Sequence, residues 1–481
     1  MKKISLSILF LLGIVLSSSA FCGFYVAKAG AELFNNKSEV ILVRNGEYAT
    51  ITMSNDFTGN IKDFAMVIPV PNVLQRQDIA IVDRSIFASL DAYSAPRLVE
   101  YYDPNPCYVP RPVMEALEVE DDMVEKDFVS NVALREAKKH KVTIEAKYNV
   151  EEYEILILSA KESDGLKTWL IENGYKIPAK AEKVLEPYIK NKLKFFVVKV
   201  NLKTHKPGSS EGFLRPLQIK VKSDKFMLPI RLGMANAKGE QDMIVYAFSK
   251  KGRIECTNYR TVNMPTNRKI PTFVKPNFGN FYSDLFKNTH SREGRDAVFL
   301  EYAWDVTPSW GGVKCDPCVG NPPYFVDLTK AGVSWVNQRG SSVHFTRLHV
   351  RYSLSKFPED LFFQETPNRQ SFQARYVITH PATGDLSCSE GRNYSKKLKT
   401  RRRKEISELA SLTQWDVNEF YDYIPNGTDK IKSVSEDEND TSPISPFNDN
   451  KQSPQIPLII TLTLLIIFIL NSIALRLSKK V

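Results

Sequence analysis

Short apolar runs with a two-residue period recur along most of this chain, punctuated by Gly, Pro and Asn. Val40 to Arg44 and Tyr48 to Met53 flank Asn45-Gly46, a dipeptide that favours tight turns, so Ser38 to Phe57 is predicted as a β-hairpin. Phe64 to Val70 reads as a further strand, closed by Pro69 and Pro71. Ser85 to Tyr102 reads as helical at first and passes into the rigid turn Asp103-Pro104-Asn105-Pro106-Cys107. Glu115 to His140 is charged and helical by pattern, and Lys141 to Ser159 returns to strand through the unbroken run Ile155-Leu156-Ile157-Leu158.

Ser163 then offers a helix cap, and Leu166, Trp169 and Leu170 form an apolar stripe that stops at Asn173-Gly174. A second helix covers Ala181 to Lys192. Strands follow densely over Lys194 to Leu202, Leu214 to Val221, Phe226 to Leu232, Met243 to Ser249 and Ile254 to Arg260. Later ones are Ala297 to Asp305, Val343 to Ser353 and Phe372 to Thr379. Blocks of strands with few helices predict an α+β, strand-rich domain, not a doubly wound α/β sheet.

The two ends depart from this pattern. Leu6 to Leu16 is short and apolar, follows Lys2 and Lys3, and leads into Ser18-Ser19-Ala20, the order of a cleavable export signal. Acylation of Cys22 as a lipoprotein is opposed by bulky Phe21 before it. Ile456 to Leu475 is charge-free, and its 20 residues suffice to cross a bilayer. Arg476, Lys479 and Lys480 follow it and place the C-terminus in the cytoplasm. Asn426 to Gln455 is rich in Ser, Asp, Asn and Pro and reads as a flexible tether.

The expected plan is therefore a signal at 1–20, an extracytoplasmic α+β domain at 21–390 and a basic helical stem at 391–425. A tether at 426–455, a transmembrane helix at 456–475 and a tail at 476–481 complete it. Localisation is the membrane, single-pass, with the head outside. The sequons opened by Asn36, Asn393, Asn426 and Asn439 matter only in a eukaryotic secretory pathway.

Charge changes this picture little. Of the formal +10, five positives belong to the targeting ends, which leaves about +5 for the exported part. Lys396, Lys397, Lys399, Arg401, Arg402, Arg403 and Lys404 form one local cluster, so the main domain carries no basic signature of nucleic-acid binding. The cluster suits an acidic partner, anionic lipid headgroups or a cell-wall polymer, or is a solvated stem helix. The expected partners are membrane lipid through one helix and an envelope or surface partner, with no nucleic acid.

Six cysteines, Cys22, Cys107, Cys256, Cys315, Cys318 and Cys388, all lie in the exported part and are disulfide candidates with pairing open. Cys315-Asp316-Pro317-Cys318 has the spacing of a thiol–disulfide redox site, in which a helix N-terminus lowers the pKa of the first thiol. Val319-Gly320-Asn321-Pro322-Pro323 cannot begin such a helix, which favours a structural bridge. Zinc on Cys315 and Cys318, completed by Cys388, His380 or His344, lacks a second close pair. Gly208-Ser209-Ser210-Glu211-Gly212 is a polar loop rather than a nucleophile turn, and Glu359-Asp360 after Pro358 reads as a helix start or turn. No cofactor or metal is expected.

Several runs carry a resemblance. Cys22-Gly23-Phe24-Tyr25-Val26-Ala27, Asp56-Phe57, Val67-Ile68-Pro69-Val70-Pro71 and Asp91 through Tyr101 come first. The run from Ile155 to Leu166, then Phe226 through Gly233, Glu301-Tyr302-Ala303-Trp304-Asp305, Cys315 to Cys318 and His344 through Leu348 follow in order. Together, over roughly 21 to 390, the chain resembles the bacterial domain-of-unknown-function family 2330. Thr307 to Lys314 is an insertion-like departure from that pattern. The resemblance implies an exported or surface-anchored protein and brings no catalytic residues with it. The functional reading is a membrane-anchored binding or envelope-organising module rather than an enzyme. The alternative is an extracytoplasmic thiol–disulfide oxidoreductase using Cys315 and Cys318.

Overall fold

A computed structural model of the chain describes residues 24–28, 38–55, 64–108, 142–151, 153–160, 163–176, 181–200, 215–235, 239–307, 322–337 and 341–424. The fold is strand-rich α+β with six α-helices among the described residues. Its large sheet has nine strands. Their order is Arg260–Asn263, Ala297–Asp305, His344–Tyr352, Gln241–Ser249, Ser38–Asn45, Tyr48–Asn55, Leu217–Lys222 and Ile79–Ile81, with Phe372–Gln373 beside Ala297–Asp305. The small sheet has six, ordered Val142–Val150, Tyr153–Ala160, Lys194–Val200, Phe64–Val70, Phe24–Lys28 and Tyr175–Lys176.

Period-two alternation decides what each sheet covers. In the small sheet Met66, Ile68 and Val70, with Ile155, Ile157, Phe196 and Val198, enter one core with Val40, Leu42, Ile51 and Ile219 of the large sheet. Their neighbours Ala65, Val67, Leu156, Leu158, Phe195 and Val197 enter a second core with Leu166, Trp169, Leu170 and Leu185. Those last residues come from the helices Ser163–Glu172 and Ala181–Lys190. A strand buried on both faces needs no polar positions, which explains the unbroken run Ile155 to Leu158.

The opposite face of the large sheet shows Ile41, Val43, Ile244, Tyr246 and Phe248, packed under Ile86, Phe87 and Leu90 of the helix Ser85–Ser94. The helix Phe278–Arg292 lies further along this face, where Phe286 packs on Phe299 and stacks on His349 at 3.7 Å. The helix Ser389–Thr413 packs against it in turn, and Asn288 donates to the carbonyls of Ser411 and Leu412.

The predicted hairpin forms as Ser38–Asn45 and Tyr48–Asn55, joined by Gly46-Glu47, and Gly46 takes φ +61°, which suits glycine. The structure differs from the sequence reading at several places, among them the expected strands Lys141 to Ser159 and Ile254 to Arg260, each of which is split in two. The helix Ser85–Ser94 stops before Pro96, and Arg97–Tyr102 becomes a strand parallel to Arg375–His380. Pro229 cuts the expected strand Phe226 to Leu232 to Met227–Leu228, followed by a 3₁₀ turn at Arg231–Ala235. Phe278–Arg292 is a helix where no element was expected, although 278, 281, 282, 285 and 286 follow helical spacing.

The stem helix also packs on the head: within residues 389–413, Leu409 and Leu412 join the main core. Among the described residues no helix is long and apolar enough to cross a membrane. The leading run to Leu16, the expected helix at 115–140, the loop at 208–212, the tether and the run at 456–475 all lie outside them.

Candidate functional site

A cleft of about 320 Å³ opens between the two sheets. Its walls are Ala49, Ile51, Met53, Ile219 and Val221 from the large sheet and Ile68, Pro69 and Val70 from the small one. Met227, Leu228 and Phe362 extend the apolar lining, while Asn191, Asp224 and Lys225 are exposed. One end is polar. The Tyr188 hydroxyl donates to Asp360 Oδ1 at 2.7 Å, and the Arg231 backbone N–H donates to the same oxygen at 3.1 Å. The Arg231 guanidinium lies 3.3 Å from Asp360 Oδ2 and 5.2 Å from the centre of the Tyr188 ring.

Local structure sets this triad. Tyr188 projects from the helix Ala181–Lys190, Pro229 turns the chain so that Arg231 begins a 3₁₀ turn, and Asp360 precedes the strand Leu361–Glu365. Burial raises the Tyr188 hydroxyl far above its ordinary pKa, and the adjacent Asp360 carboxylate raises it further. Burial alone would lower the Arg231 pKa, but Asp360 and Tyr188 together more than offset it. Arg231 Nε is buried with no hydrogen-bond partner among the described residues. Buried donors are rarely left unpaired, and this one belongs to a side chain that lines the cleft.

A second polar assembly runs along the opposite face of the large sheet. Arg347 Nε donates to Glu301 Oε2 at 2.6 Å, and its Nη1 reaches Asp91 at 2.7 Å. His349 lies between two carboxylates, with Nδ1 at 2.9 Å from Glu301 and Nε2 at 3.1 Å from Asp242. Arg351 closes the chain with a bidentate pair to Asp242 at 2.9 and 2.7 Å. The Tyr282 hydroxyl also donates to Glu301, at 2.5 Å.

A bulge makes this possible. The register between Ala297–Asp305 and His344–Tyr352 shifts between Leu300 and Tyr302, and the extra residue, Glu301, turns toward Arg347 and His349. Burial would raise the Glu301 carboxyl, but Arg347 and His349 outweigh it and hold it at about 2. His349 is raised in spite of burial, by Glu301 and Asp242. Each charge meets an opposite one and Glu301 at the centre is 1% exposed, so the assembly is satisfied internally and positions the strands.

The cysteine candidates separate. Cys107 and Cys388 form a disulfide across 281 residues of sequence. Cys256 is a buried free thiol, which corrects its place among the bridging candidates. Burial raises its pKa, as befits an inert core thiol. Cys22, Cys315 and Cys318 lie outside the described residues.

The proposed zinc completions do not converge. Cys388 is spent in the bridge, His380 contacts Glu100 at 2.9 Å, and His344 is buried with neither ring nitrogen paired. Burial lowers the His344 pKa to about 4. Among the described residues no group of three His, Cys, Asp or Glu side chains could hold a metal ion. Asp360 is the residue the sequence reading passed over: its burial rests on Tyr188, 172 positions away.

The family model that matches the chain describes an uncharacterised protein conserved in bacteria (DUF2330), over residues 16–364. Among curated proteins none matches. Among solved structures the chain is similar to the crystal structure of baculovirus P35. That likeness has 9% identity and a TM-score of 0.26, covering 70% of this chain and 97% of that one.

Proposed function

The chain belongs to the DUF2330 family of uncharacterised bacterial proteins, and from that premise we propose that it is a membrane-anchored extracytoplasmic binding protein whose ligand enters the cleft between the sheets. The single observation that carries this reading is the cleft itself, apolar along both walls and polar at one end, with an unpaired guanidinium nitrogen there. Ligand pockets combine a largely apolar lining with a few convergent polar groups, and this one is at the small end of their range. The charge-free run at 456–475 and the short leading run support export and anchorage.

The ligand class that fits is a small apolar molecule bearing one acceptor or anionic group. The test is titration of the chain ending after Ile424 with a dansyl-labelled fatty acid, read by fluorescence. Saturable binding is expected, weakened at least about tenfold by Ala49→Phe, which fills the cleft. Arg231→Gln keeps a donor for Asp360 and should weaken the acid but not its methyl ester. Binding that ignores both substitutions, or no saturable binding, overturns the reading.

A further inference from the structure

The helix Ser389–Thr413 buries Leu409 and Leu412 and turns a basic surface outward. Arg392, Lys396, Lys399 and Arg403 follow i, i+4, i+7, i+11 spacing, and Lys397 and Lys404 lie on the adjacent row. Lys396 and Lys397 are exposed, and among the described residues no carboxylate pairs with them or with Lys399. The helix's own acids are engaged elsewhere: Glu405 with Arg401 and Tyr423, Glu408 with Arg268, and Glu390 with Ser389.

The helix is held rigidly in this pose. Cys388 is its N-cap residue and is bridged to Cys107, and Arg401 and Tyr394 both bind Asp103. Tyr108, next to Cys107 in the chain, is 81% exposed, and Tyr102, stacked on His380 at 4.5 Å, is 71% exposed. Tyrosines with an apolar ring and a polar tip settle at the headgroup level of membranes.

We propose that this outward face is a docking surface for anionic lipid headgroups, with Lys396, Lys397 and Lys399 against the phosphates and Tyr102 and Tyr108 at the interface. The inference rests on the anchored reading above. Thirty-one residues, 425–455, separate the described head from the apolar run, and a flexible chain of that length reaches about 30 Å. The anchor would therefore keep the helix within reach of a bilayer, and a cationic face so tethered meets anionic lipid before a soluble polymer.

The test uses the full chain in nanodiscs of phosphatidylcholine, with or without phosphatidylglycerol. Acetylation rates of single lysines are read by mass spectrometry, with exposed Lys356 as the internal reference. Modification of Lys396, Lys397 and Lys399 should slow about tenfold in anionic discs only, and recover in high salt. Equal rates in both discs overturn the proposal.

If the chain fails to enter discs, the anchored reading falls. Co-sedimentation of the same chain with preformed phosphatidylglycerol vesicles then decides the surface. Salt-sensitive binding lost in Lys396→Glu/Lys397→Glu/Lys399→Glu, and reduced in the corresponding Gln variant, supports it. Binding that is absent, or untouched by these changes, overturns it. Stronger protection by soluble polyphosphate than by lipid also overturns it, in favour of a polymer.

Discussion

The two faces of the large sheet solve opposite problems with similar residues. On one, Arg347, Glu301, His349, Asp242 and Arg351 alternate in sign, and each finds its partner within hydrogen-bond reach. On the other, the Tyr188, Asp360 and Arg231 triad leaves a guanidinium nitrogen unpaired beside an open apolar cleft. A satisfied network fixes geometry and has nothing left to offer a ligand. An incomplete one beside empty space can take a ligand, so polarity alone does not mark a functional site.

The sharpest way to break this comparison is to remove one charge from the closed chain. Glu301→Leu removes the buried carboxylate shared by Arg347, His349 and Tyr282, leaving Arg347 with Asp91 and His349 with Asp242 alone, and its expected cost is about 3–5 kcal/mol. Ala49→Phe, which adds bulk on the cleft side, should cost less, about 1–3 kcal/mol. Chemical denaturation of both variants checks the contrast. Similar losses in the two would show that the faces do not differ as argued.

What could be read from the sequence follows the range of the forces involved. The hairpin at Asn45-Gly46 and the doubly buried strands were legible because alternation and turn chemistry are local. The helix Phe278–Arg292 was equally local in its spacing, yet was hidden among strand-like neighbours. The sites were not legible. Glu301 reaches Arg347 across 46 positions, Asp91 reaches it across 256, and the disulfide spans 281. No periodicity encodes such pairings. Glu359-Asp360 read as a helix start or turn because nothing nearby announces that Tyr188 will bond to Asp360.

A second prediction concerns how the chain's face is roofed. The bridge between Cys107 and Cys388 caps the helix Ser389–Thr413, which packs on Phe278–Arg292 and so over His349. Cys107→Ser/Cys388→Ser should cost about 2–4 kcal/mol. Hydrogen exchange should quicken first along 389–413 and then along 278–292, leaving the cleft strands protected. Uniform loosening of both faces would argue that they form one cooperative unit.

The histidines of a single strand sharpen the contrast through pH. His344 and His349 lie in His344–Tyr352 on opposite faces, and their pKa values move in opposite directions. His344 is neutral in the fold, with its pKa lowered to about 4. Its contribution is present above the unfolded value of about 6.5 and is lost as pH falls toward 4, by up to about 3 kcal/mol. His349 is raised, so its contribution is present below the unfolded value and is lost as pH climbs through the folded one. Melting temperature against pH should therefore decline less between pH 6.5 and 4 in His344→Leu, with buried His290, also lowered, left to supply part of it. An unchanged acid decline in that variant would place the sensitivity elsewhere.

The smallest expected effect tests the cleft's own polar end. Tyr188→Phe removes one hydrogen bond to Asp360, but the Arg231 backbone N–H and guanidinium continue to hold that carboxylate. Because the charge keeps a partner, the loss should be about 1 kcal/mol, well under that of Glu301→Leu. The fatty-acid probe should still bind, since the Tyr188 hydroxyl is committed to Asp360 and Arg231 supplies the free donor. A loss as large as that of Glu301→Leu would mean that the triad is as closed as the charge chain. The cleft would then be a packing defect between two sheets.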